Sequence, residues 1–324
     1  MGGGIRKVDI VLITYNQANF INEAIEGLLR QNSEALSIRV IVADDHSTDN
    51  TLEIIRTASQ TEKGKKLEWL FLTEEQNMGI AANYKRAIAA TSADYVAILE
   101  GDDYWTDSYR LQKHVDYMST HADCVITKNQ YLQYSQQRKE WGILAKEPQI
   151  MVLREIINHY PLANLSATVY RGDVLRNIGD KVFEYGEKQR REATDWYMTL
   201  EVIKHGYMYI FDDVMSVYRV DTGDNISRVE KTYQEELDKV KICYEQTLEL
   251  LGKSYQAECL QIVKRTEDFI QKDKENRRVQ QWSKYISPCM AEFMWRTMPK
   301  IMSVIKHCGR RLIPNALYKK FKGK

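Results

Sequence analysis

The sequence predicts an α/β fold with a mainly parallel sheet, helices on both faces of that sheet, and a helical C-terminal extension. Three observations indicate this fold class. Apolar runs of strand length alternate with amphipathic helical patterns through the first part of the chain. Three of those runs end in polar or acidic residues. From about residue 228 the composition shifts to Glu, Lys and Gln with Leu, Ile and Tyr. Repeated strand–helix units are typical of parallel sheets covered on both faces.

The strands of the first half are predicted from apolar runs rich in β-branched residues. In chain order they are Val8–Thr14, Ile38–Ala43, Leu67–Leu72, Tyr95–Leu99 and Cys124–Thr127. Between them, apolar residues recur every three or four positions, which is the spacing of one face of a helix. These helical positions include Ile21, Ala24, Ile25, Leu28, Leu29, Leu52, Ile55, Ala58, Ile80, Tyr84, Ala87, Ile88, Leu111, His114, Val115 and Met118.

The second half reads less regularly. Residues 138–153 are mixed and polar. We expect a loop there that lies over the ligand-binding edge of the sheet. Leu165–Tyr170 reads as a strand, followed by a helix from Asp173. Two long helices, Val229–Leu251 and Tyr255–Lys274, are expected to pack on each other or on a second subunit, so that a homodimer is one prediction.

We expect three parts along the chain. Residues 1–227 form the α/β domain, with one half at about 1–135 and a second half at about 136–227. Residues 228–280 form the helical extension, and residues 281–324 form a basic amphipathic tail.

Bulk composition excludes several classes of protein. The 324 residues are 44% apolar and 28% charged, which is ordinary for a globular protein, and a net charge of +1 excludes a general polyanion binder. The five cysteines lack CxxC spacing and fit reduced thiols in a cytosolic protein. No apolar run is long enough to predict a membrane-spanning helix.

An acidic motif, Glu100-Gly101-Asp102-Asp103, directly follows one strand. Three carboxyls in four residues repel one another unless a cation joins them, and oxygen ligands suit Mg²⁺ or Mn²⁺. An acidic surface turn is the alternative. Strands of a parallel sheet present their carboxyl ends at one edge, where ligands bind. Thr14-Tyr15-Asn16 and Asp44-Asp45 also follow strands, so the pattern favours one shared site over separate turns.

A nucleotide at that edge would not be held by a glycine-rich loop. The first strand–helix turn, TYNQAN, contains neither GxGxxG nor GxxxxGK[ST]. The phosphates would then be neutralised by a metal on Asp102 and Asp103. Asp45 can accept a hydrogen bond from a base imide, or cap a helix. Tyr15 can stack on a base, or belong to the core.

Several motifs in order resemble the family 2 glycosyltransferases of the GT-A fold. They are VDIVLITYNQANFINEAIEGLLRQ, VIVADDHSTDNTLEII, NMGIAAN, YVAILEGDDYW and ATDWYMTLEVIKHGYMYIFDDVMSVYRV, within about residues 7–220. The EGDDYW variant is most similar to bacterial enzymes that build surface polysaccharides.

The resemblance implies a nucleobase pocket at Thr14, Tyr15 and Asp45, and it places the family's DxD motif on Glu100-Gly101-Asp102. Asp102 would hold the metal, with Asp103 beside it. Taken together, the predicted donor-binding residues are Thr14, Tyr15, Asn16, Asp44, Asp45, Asn77, Gly79, Asn83, Glu100 and Gly101.

Three positions depart from the family pattern. Glu100 stands where Asp is commoner, and Ala82 stands where Arg is frequent, which leaves Lys85 or Arg86 as a substitute. Asp221 stands where the family often has His, and Arg219 or Arg228 remains as a contact for the diphosphate.

Asp195 precedes a helical pattern, so it is either an N-cap or a general base. The resemblance places the family's acceptor-side base on it. The expected activity is inverting transfer from a nucleotide-sugar, with UDP-sugars favoured, to a glycan or polyprenyl-linked acceptor in cell-surface polysaccharide synthesis. One alternative is a non-catalytic nucleotide-sugar-binding or scaffold subunit. A sugar nucleotidyltransferase is disfavoured, because TYNQAN lacks the glycine-rich basic loop expected of one.

The last 44 residues, 281–324, hold ten basic side chains and one acidic one, a net charge of +9. Trp, Phe and Met are interleaved at helical spacing, which suits an amphipathic segment on an anionic membrane surface. A basic helix packed on the catalytic domain is the alternative. No nucleic-acid-binding module accompanies this charge. We therefore expect a cytoplasmic protein, peripheral on the inner face of the cell membrane.

Overall fold

The computed structural model describes residues 4–32, 34–142, 148–158, 164–188, 194–222 and 233–275. The predicted tail, residues 281–324, lies outside the described residues, as does Arg228. Among the described residues no helix is both long enough and apolar enough to cross a membrane.

Ten strands form one sheet within the described residues. They are β1 (Arg6–Thr14), β2 (Leu36–Asp44), β3 (Glu68–Thr73), β4 (Tyr95–Glu100), β5 (Tyr104–Trp105), β6 (Cys124–Ser135), β7 (Glu140–Gly142), β8 (Ile150–Met151), β9 (Thr168–Arg171) and β10 (Tyr207–Val220). The order across the sheet is β3-β2-β1-β4-β9-β6-β10-β5, with β7 paired to β6 and β8 to β10.

The helices lie between and after these strands. They are α1 (Ile21–Leu29), α2 (Thr51–Ser59), α3 (Ile80–Ala89), α4 (Arg110–Thr120), α5 (Leu153–Asn158), α6 (Gly172–Arg176), α7 (Lys181–Lys188), α8 (Thr194–Ile203), α9 (Tyr233–Leu251) and α10 (Gln256–Glu275). All five strands predicted in the first half are present. Four lie within a longer observed strand, whereas β3 is shifted by one residue from the predicted Leu67–Leu72.

The sheet is parallel where the sequence predicts strand–helix units. β1 pairs in parallel with β2 and β4, and β2 pairs in parallel with β3. β9 is antiparallel to both β4 and β6 and separates this half from the parallel β6–β10 pair. The predicted α/β class with a mainly parallel sheet is therefore confirmed, with antiparallel strands added in the second half.

Two predictions for the second half were wrong in detail. The predicted strand Leu165–Tyr170 begins as a 3₁₀ turn over Leu165–Ala167, because the Asn164 carboxamide accepts the Ala167 N–H at 2.9 Å. This local bond competes with strand pairing, so β9 starts only at Thr168. The predicted loop 138–153 contains β7 and β8, and its residues 143–147 lie outside the described residues.

β1 is covered on both faces, which explains its unbroken apolar sequence. Ile10 and Leu12 belong to one buried cluster, with side chains from α1 and α4. Val11 and Ile13 belong to the other, with side chains from α3 and α8. Helices therefore cover both faces of β1 up to its carboxyl end.

The helical extension shares the second of these cores. Val240 and Cys243 on α9, and Cys259 and Ile262 on α10, are buried in the same cluster as residues of α5 and α8. The inner face of α9 therefore has partners within the chain, and a homodimer stays a prediction.

Asp9 and Arg39 form an ion pair directly across the β1–β2 register. Arg39 donates to both carboxylate oxygens at 2.8 Å, and the N–H groups of Ser92 and Ala93 donate to Asp9 as well. Burial opposes ionisation of Asp9, but these donors outweigh it and hold the pKa of Asp9 below its usual value. The pair joins β1, β2 and the turn before β4.

We expect Asp9→Asn to lower the free energy of unfolding by about 2–4 kcal/mol, because Arg39 keeps its charge but loses its partner. Urea denaturation followed by circular dichroism measures this. Since the pKa of Asp9 is depressed in the fold, its contribution is complete at neutral pH and is lost as pH falls through that lowered pKa.

The matched control is Asp116→Asn, which removes the surface pair of Arg6 and Asp116. Exposed pairs contribute about 0–1 kcal/mol, so this variant should unfold close to the original chain. Equal losses in the two variants would contradict the assignment of Asp9 as the stabilising partner.

Candidate active site

The polar clusters that follow β1, β2 and β4 meet at one edge of the sheet. In the strand register Thr14 lies opposite Asp44, and Ile13 lies opposite Glu100. The Thr14 hydroxyl donates to Asp44 at 3.0 Å, and the Asp45 N–H donates to the Thr14 carbonyl at 2.9 Å. The residues that follow these strands therefore lie close together, as the sequence predicts.

Asp44 and Asn16 organise the loop after β2. The Asp44 carboxylate accepts the N–H of Ser47 at 2.8 Å and its hydroxyl at 2.6 Å. The Asn16 carboxamide accepts the Thr48 N–H at 2.8 Å, and Asn16 itself has a left-handed backbone with φ of 51°. Asn tolerates that conformation better than most residues. Both side chains therefore act on the backbone that surrounds the site.

Asp45 holds the segment before α3. Its two carboxylate oxygens accept the N–H groups of Met78 at 2.7 Å and Gly79 at 2.9 Å, and Asn77 donates to the Asp45 carbonyl at 3.1 Å. Gly79 has φ of 89°, which strains any other residue. Only 3% of Asp45 is exposed, so its carboxylate joins two loops, whereas Tyr15 beside it is 41% exposed.

α3 contributes Asn83 and the two basic residues predicted to replace the missing Arg. Asn83 is buried and donates to the Ala43 carbonyl at 2.8 Å. Arg86 donates to Asn83 at 2.8 Å and to the Asp44 carbonyl at 2.7 Å, so it lies at the sheet edge. Lys85 instead pairs with Asp180 at the surface, 3.0 Å away.

Glu100 of the acidic motif is held by side chains from two other segments. The Tyr84 hydroxyl of α3 donates to the Glu100 carboxylate at 2.8 Å, and the Glu100 N–H donates to the Ser166 hydroxyl at 3.0 Å. A Cβ on Gly101 would lie 2.9 Å from Thr14 Cγ2, so glycine allows the motif to approach β1 closely. Neither Tyr84 nor Ser166 could be assigned this role from the sequence.

Asp102 and Asp103 point to different surroundings. Asp103 is fully buried, and its Oδ1 accepts the backbone N–H of Arg219 at 2.8 Å. Asp102 is partly exposed, and its Oδ2 accepts the Thr222 hydroxyl at 3.2 Å. Of the two predicted metal ligands, Asp102 is the one that a ligand at the surface of the site can reach.

Arg219, at the end of β10, clamps the acidic motif from the side. Its guanidinium donates to the Asp102 carbonyl at 2.7 Å and pairs with Glu23 of α1. The guanidinium carbon also lies 4.6 Å from the centre of the Tyr104 ring. Only 4% of Arg219 is exposed, so its guanidinium contacts protein groups rather than solvent.

Asp221 follows Arg219 with a left-handed backbone, φ of 62°. Its carboxylate accepts the Ser135 hydroxyl at 2.5 Å and lies 3.9 Å from the Arg138 guanidinium. The carboxyl at the position where the family often has His is therefore joined to the end of β6. Trp141, on β7, packs against Tyr134 with ring centres 4.7 Å apart.

Negative charge accumulates at the motif. Burial, then the nearby Asp102 and Asp195 carboxylates, raise the pKa of Glu100 to about 7 despite the Tyr84 bond. Burial also raises the pKa of Asp102, and burial with the charges of Asp102 and Glu100 raises that of Asp103 well above its usual range. A divalent cation would offset this repulsion.

The carboxyls of the acidic motif suit a cation that is also bound by substrate phosphates. Among the described residues, no group of three or more His, Cys, Asp or Glu is arranged to hold a metal. Mg²⁺ needs only one or two protein carboxylates when substrate phosphates complete its shell. The partly exposed Asp102, with Glu100 two residues before it, matches that requirement.

Asp195 lies in the first turn of α8, one residue after the helix begins. Its Oδ1 accepts the Trp196 N–H at 2.8 Å. Burial raises the pKa of Asp195 to about 6, and its charge in turn raises the pKa of Tyr84 and Glu100. The carboxylate therefore belongs electrostatically to the same site as the acidic motif.

Solved structures resemble this architecture. S. aureus TarS 1–349 in complex with UDP has a TM-score of 0.58 at 17% identity, covering 79% of this chain and 69% of that one. The mannosyltransferase PcManGT from Pyrobaculum calidifontis, in complex with GDP-Man and Mn²⁺, has a TM-score of 0.53 at 14% identity, covering 89% and 87%. The architecture is the GT-A fold of glycosyltransferases.

A family model described as Glycosyl transferase family 2 matches residues 9–179, just over half of the chain. The chain therefore belongs to glycosyl transferase family 2. An uncharacterized glycosyltransferase of Methanocaldococcus jannaschii is 27% identical over 229 residues, 69% of this chain and 74% of that protein.

An uncharacterized protein of Mycobacterium tuberculosis is 39% identical over 121 residues, 37% of this chain and 33% of that protein. The match with this chain thus spans about a third of the length of the mycobacterial relative.

Proposed function

We propose that the chain transfers a sugar from a nucleotide-sugar, with inversion, to a glycan or polyprenyl-linked acceptor in cell-surface polysaccharide synthesis. The observation that carries the proposal is the electrostatic interaction between two kinds of carboxyl, the acidic motif at the sheet edge and Asp195 on α8. The acidic motif after β4 suits a cation and diphosphate, and Asp195 on α8 has a pKa raised to about 6. Such a pair separates stabilisation of the leaving group from activation of the acceptor.

The donor half of the proposal rests on the loops after β1 and β2. Tyr15 is exposed enough to stack on a nucleobase, while Thr14, Asn16, Asp44 and Asp45 keep the loops that surround it in place. A UDP-sugar is favoured as donor, in line with the UDP and UDP-GlcNAc complexes of S. aureus TarS. GDP-Man, bound by PcManGT, is the next donor to test.

Asp102 is the residue proposed to hold Mg²⁺ or Mn²⁺, with Glu100 beside it. Asp103 accepts the Arg219 N–H, which ties the motif to β10. Its carboxyl also interacts electrostatically with Asp102 and Glu100. A bound cation would supply charge stabilisation for the departing nucleotide diphosphate.

On the acceptor side, Asp195 takes the proton of the attacking hydroxyl as a general base. Attack from the face opposite the leaving group inverts the anomeric centre, so a single displacement suffices. A base with a pKa of about 6 is mostly ionised at neutral pH and still basic enough to accept a proton. A positioned base typically contributes about 10²–10⁴-fold to the rate.

A non-catalytic nucleotide-sugar-binding or scaffold subunit is the second candidate. Glu100 and Asp221 are the observations that favour it, because both depart from the family pattern and both are occupied by protein donors. Turnover of the donor separates the two candidates, since a scaffold subunit binds but does not convert it.

Donor binding should depend on both the cation and Asp102. Calorimetry of the full chain with UDP-GlcNAc, other UDP-sugars, dTDP-sugars and GDP-Man should show Mn²⁺-dependent binding of one nucleotide class. Asp102→Asn should weaken that binding about tenfold or more, because it removes the charge that holds the cation. The control is Asp213→Asn, an exposed carboxylate near Lys113, which should bind the donor normally. Binding that ignores both Mn²⁺ and Asp102 would contradict the metal assignment.

Asp195→Asn should lower donor turnover about 10²–10⁴-fold while donor affinity is retained, because the change removes the base but not the nucleotide pocket. Release of the nucleoside diphosphate, with or without an acceptor, measures turnover, and calorimetry measures affinity. Glu201→Gln, on the same helix and paired with Lys204, is the matched control. Unchanged turnover in Asp195→Asn would remove the base assignment, and donor binding without any turnover in the original chain would favour the scaffold candidate.

The basic tail, residues 281–324, is proposed to contact an anionic membrane surface. Its net charge of +9 and interleaved Trp, Phe and Met supply both attractions that a peripheral segment needs. The protein would then work on the cytoplasmic face of the cell membrane, where a polyprenyl-linked acceptor is accessible. The division into a catalytic domain 1–227, an extension 228–280 and this tail is part of the same proposal.

Liposome flotation tests the tail directly. The full chain should float with vesicles containing anionic lipid and much less with neutral vesicles, and a chain ending at Gln280 should stay at the bottom of the gradient. Added salt should weaken flotation, because each basic residue near the surface contributes about 1 kcal/mol of screened attraction. Equal flotation of the two chains would contradict a membrane role for the tail.

A further inference from the structure

Helix α9 contacts the first turn of the helix that carries Asp195. The indole N–H of Trp196 donates to the Thr247 hydroxyl at 3.2 Å, and the Tyr197 hydroxyl donates to the Gln246 carboxamide at 2.5 Å. These four side chains are buried. The two residues that directly follow Asp195 are therefore fixed by the helical extension.

The contacts between α8 and α9 show how the two helices run. Near the start of α8, Tyr197 contacts Gln246, and after its end the Lys204 ammonium donates to the Leu250 carbonyl at 2.9 Å. The two helices therefore progress in the same direction. The part of α9 that precedes Gln246 lies toward the N-terminus of α8, where Asp195 is.

Lys239 occupies that part of α9. It precedes Gln246 by seven residues, which is about two helical turns and places both on the same face. Val240 and Cys243 of this face are buried, while Lys239 is only partly exposed. A lysine side chain is long and flexible enough to bring its ammonium toward the first turn of α8.

Charged and titratable groups face Asp195 from several elements among the described residues. They are Glu100 on β4, Tyr84 on α3, Tyr170 on β9, Tyr197 on α8 itself and Lys239 on α9. Residues 189–193, directly before α8, lie outside the described residues. Burial is the largest influence and raises the pKa of Asp195, whereas the positive charge of Lys239 lowers it.

We propose that α9 belongs to the acceptor-side catalytic machinery, with Lys239 as a positioning residue that faces Asp195 and stabilises its carboxylate. The inference rests on the proposed function, in which Asp195 is the general base. A buried base beside Glu100 tends to take up a proton before the acceptor arrives. Lys239 opposes that tendency, so that Asp195 stays ionised at a lower pH than the site would otherwise allow.

The test is the pH dependence of donor turnover by the full chain with its cation. In Lys239→Gln the acid limb of the profile should move to higher pH by about half a pH unit, the size expected for losing one partly solvated opposite charge. The sign follows because a carboxylate that loses a neighbouring cation protonates more readily. Donor affinity should not change, since α9 does not contribute to the nucleotide loops. Lys239→Arg should restore the original profile.

The matched control is Lys241→Gln, two residues along the same helix. Lys241 is exposed and lies 3.8 Å from Glu267 of α10, so its loss changes the net charge equally without removing a charge that faces Asp195. An acid limb that stays in place in Lys239→Gln, or one that moves equally in Lys241→Gln, would overturn the inference.

Asp195→Asn, measured in the same series, separates this inference from the proposed function. Retained turnover in Asp195→Asn would defeat the base assignment itself. Lost turnover in Asp195→Asn together with an unmoved acid limb in Lys239→Gln would defeat only the role of Lys239. Thermal unfolding of each variant establishes that the fold is kept, which a partly exposed lysine permits.

Discussion

The site depends on holding three carboxyls together at the end of β4. Loss of water opposes this arrangement and raises the pKa of all three groups, and repulsion from neighbouring carboxylates raises the pKa of Glu100 and Asp103 further. Each carboxyl accepts a hydrogen bond from the protein: Glu100 from the Tyr84 hydroxyl, Asp102 from the Thr222 hydroxyl and Asp103 from the Arg219 N–H. Hydrogen bonds fix geometry but do not cancel charge. The fold therefore holds a cluster of carboxyls whose remaining negative charge a bound cation would offset.

The parallel sheet explains why loops that are distant in the sequence lie side by side at this edge. β1 pairs with β2 on one side and β4 on the other, and its apolar side chains are buried on both faces. Its carboxyl end therefore sets the positions of the polar residues after all three strands. Asp44 and Asp45 then use their carboxylates to join neighbouring loops. Preorganisation of this kind lowers the cost of ordering a binding site when a ligand arrives.

The sequence was sufficient to predict the strands, the shared edge and the family, because those depend on local apolar patterns and on ordered motifs. It was insufficient for the role of each carboxyl. A pattern locates Asp45 after a strand, but its donors, Met78 and Gly79, lie on a different loop. Likewise Tyr84 reads as one position of an apolar helical face, and only the packing of α3 brings its hydroxyl to Glu100. Where local side-chain bonds compete with pairing, as at Asn164, the strand boundary was also misplaced.

The packing of the helical extension also could not be predicted from the sequence. Its composition predicts two helices, but not that α9 shares a core with α5 and α8. If Asp195 is the base, as proposed, its position needs support, because an error of about 1 Å in a catalytic group can cost about 10²-fold in rate. The two residues that follow Asp195 provide that support. Trp196 is hydrogen-bonded to Thr247 of α9, and Tyr197 is hydrogen-bonded to Gln246. The composition near residue 228 thus indicates where the helices begin but not which earlier helices they pack against.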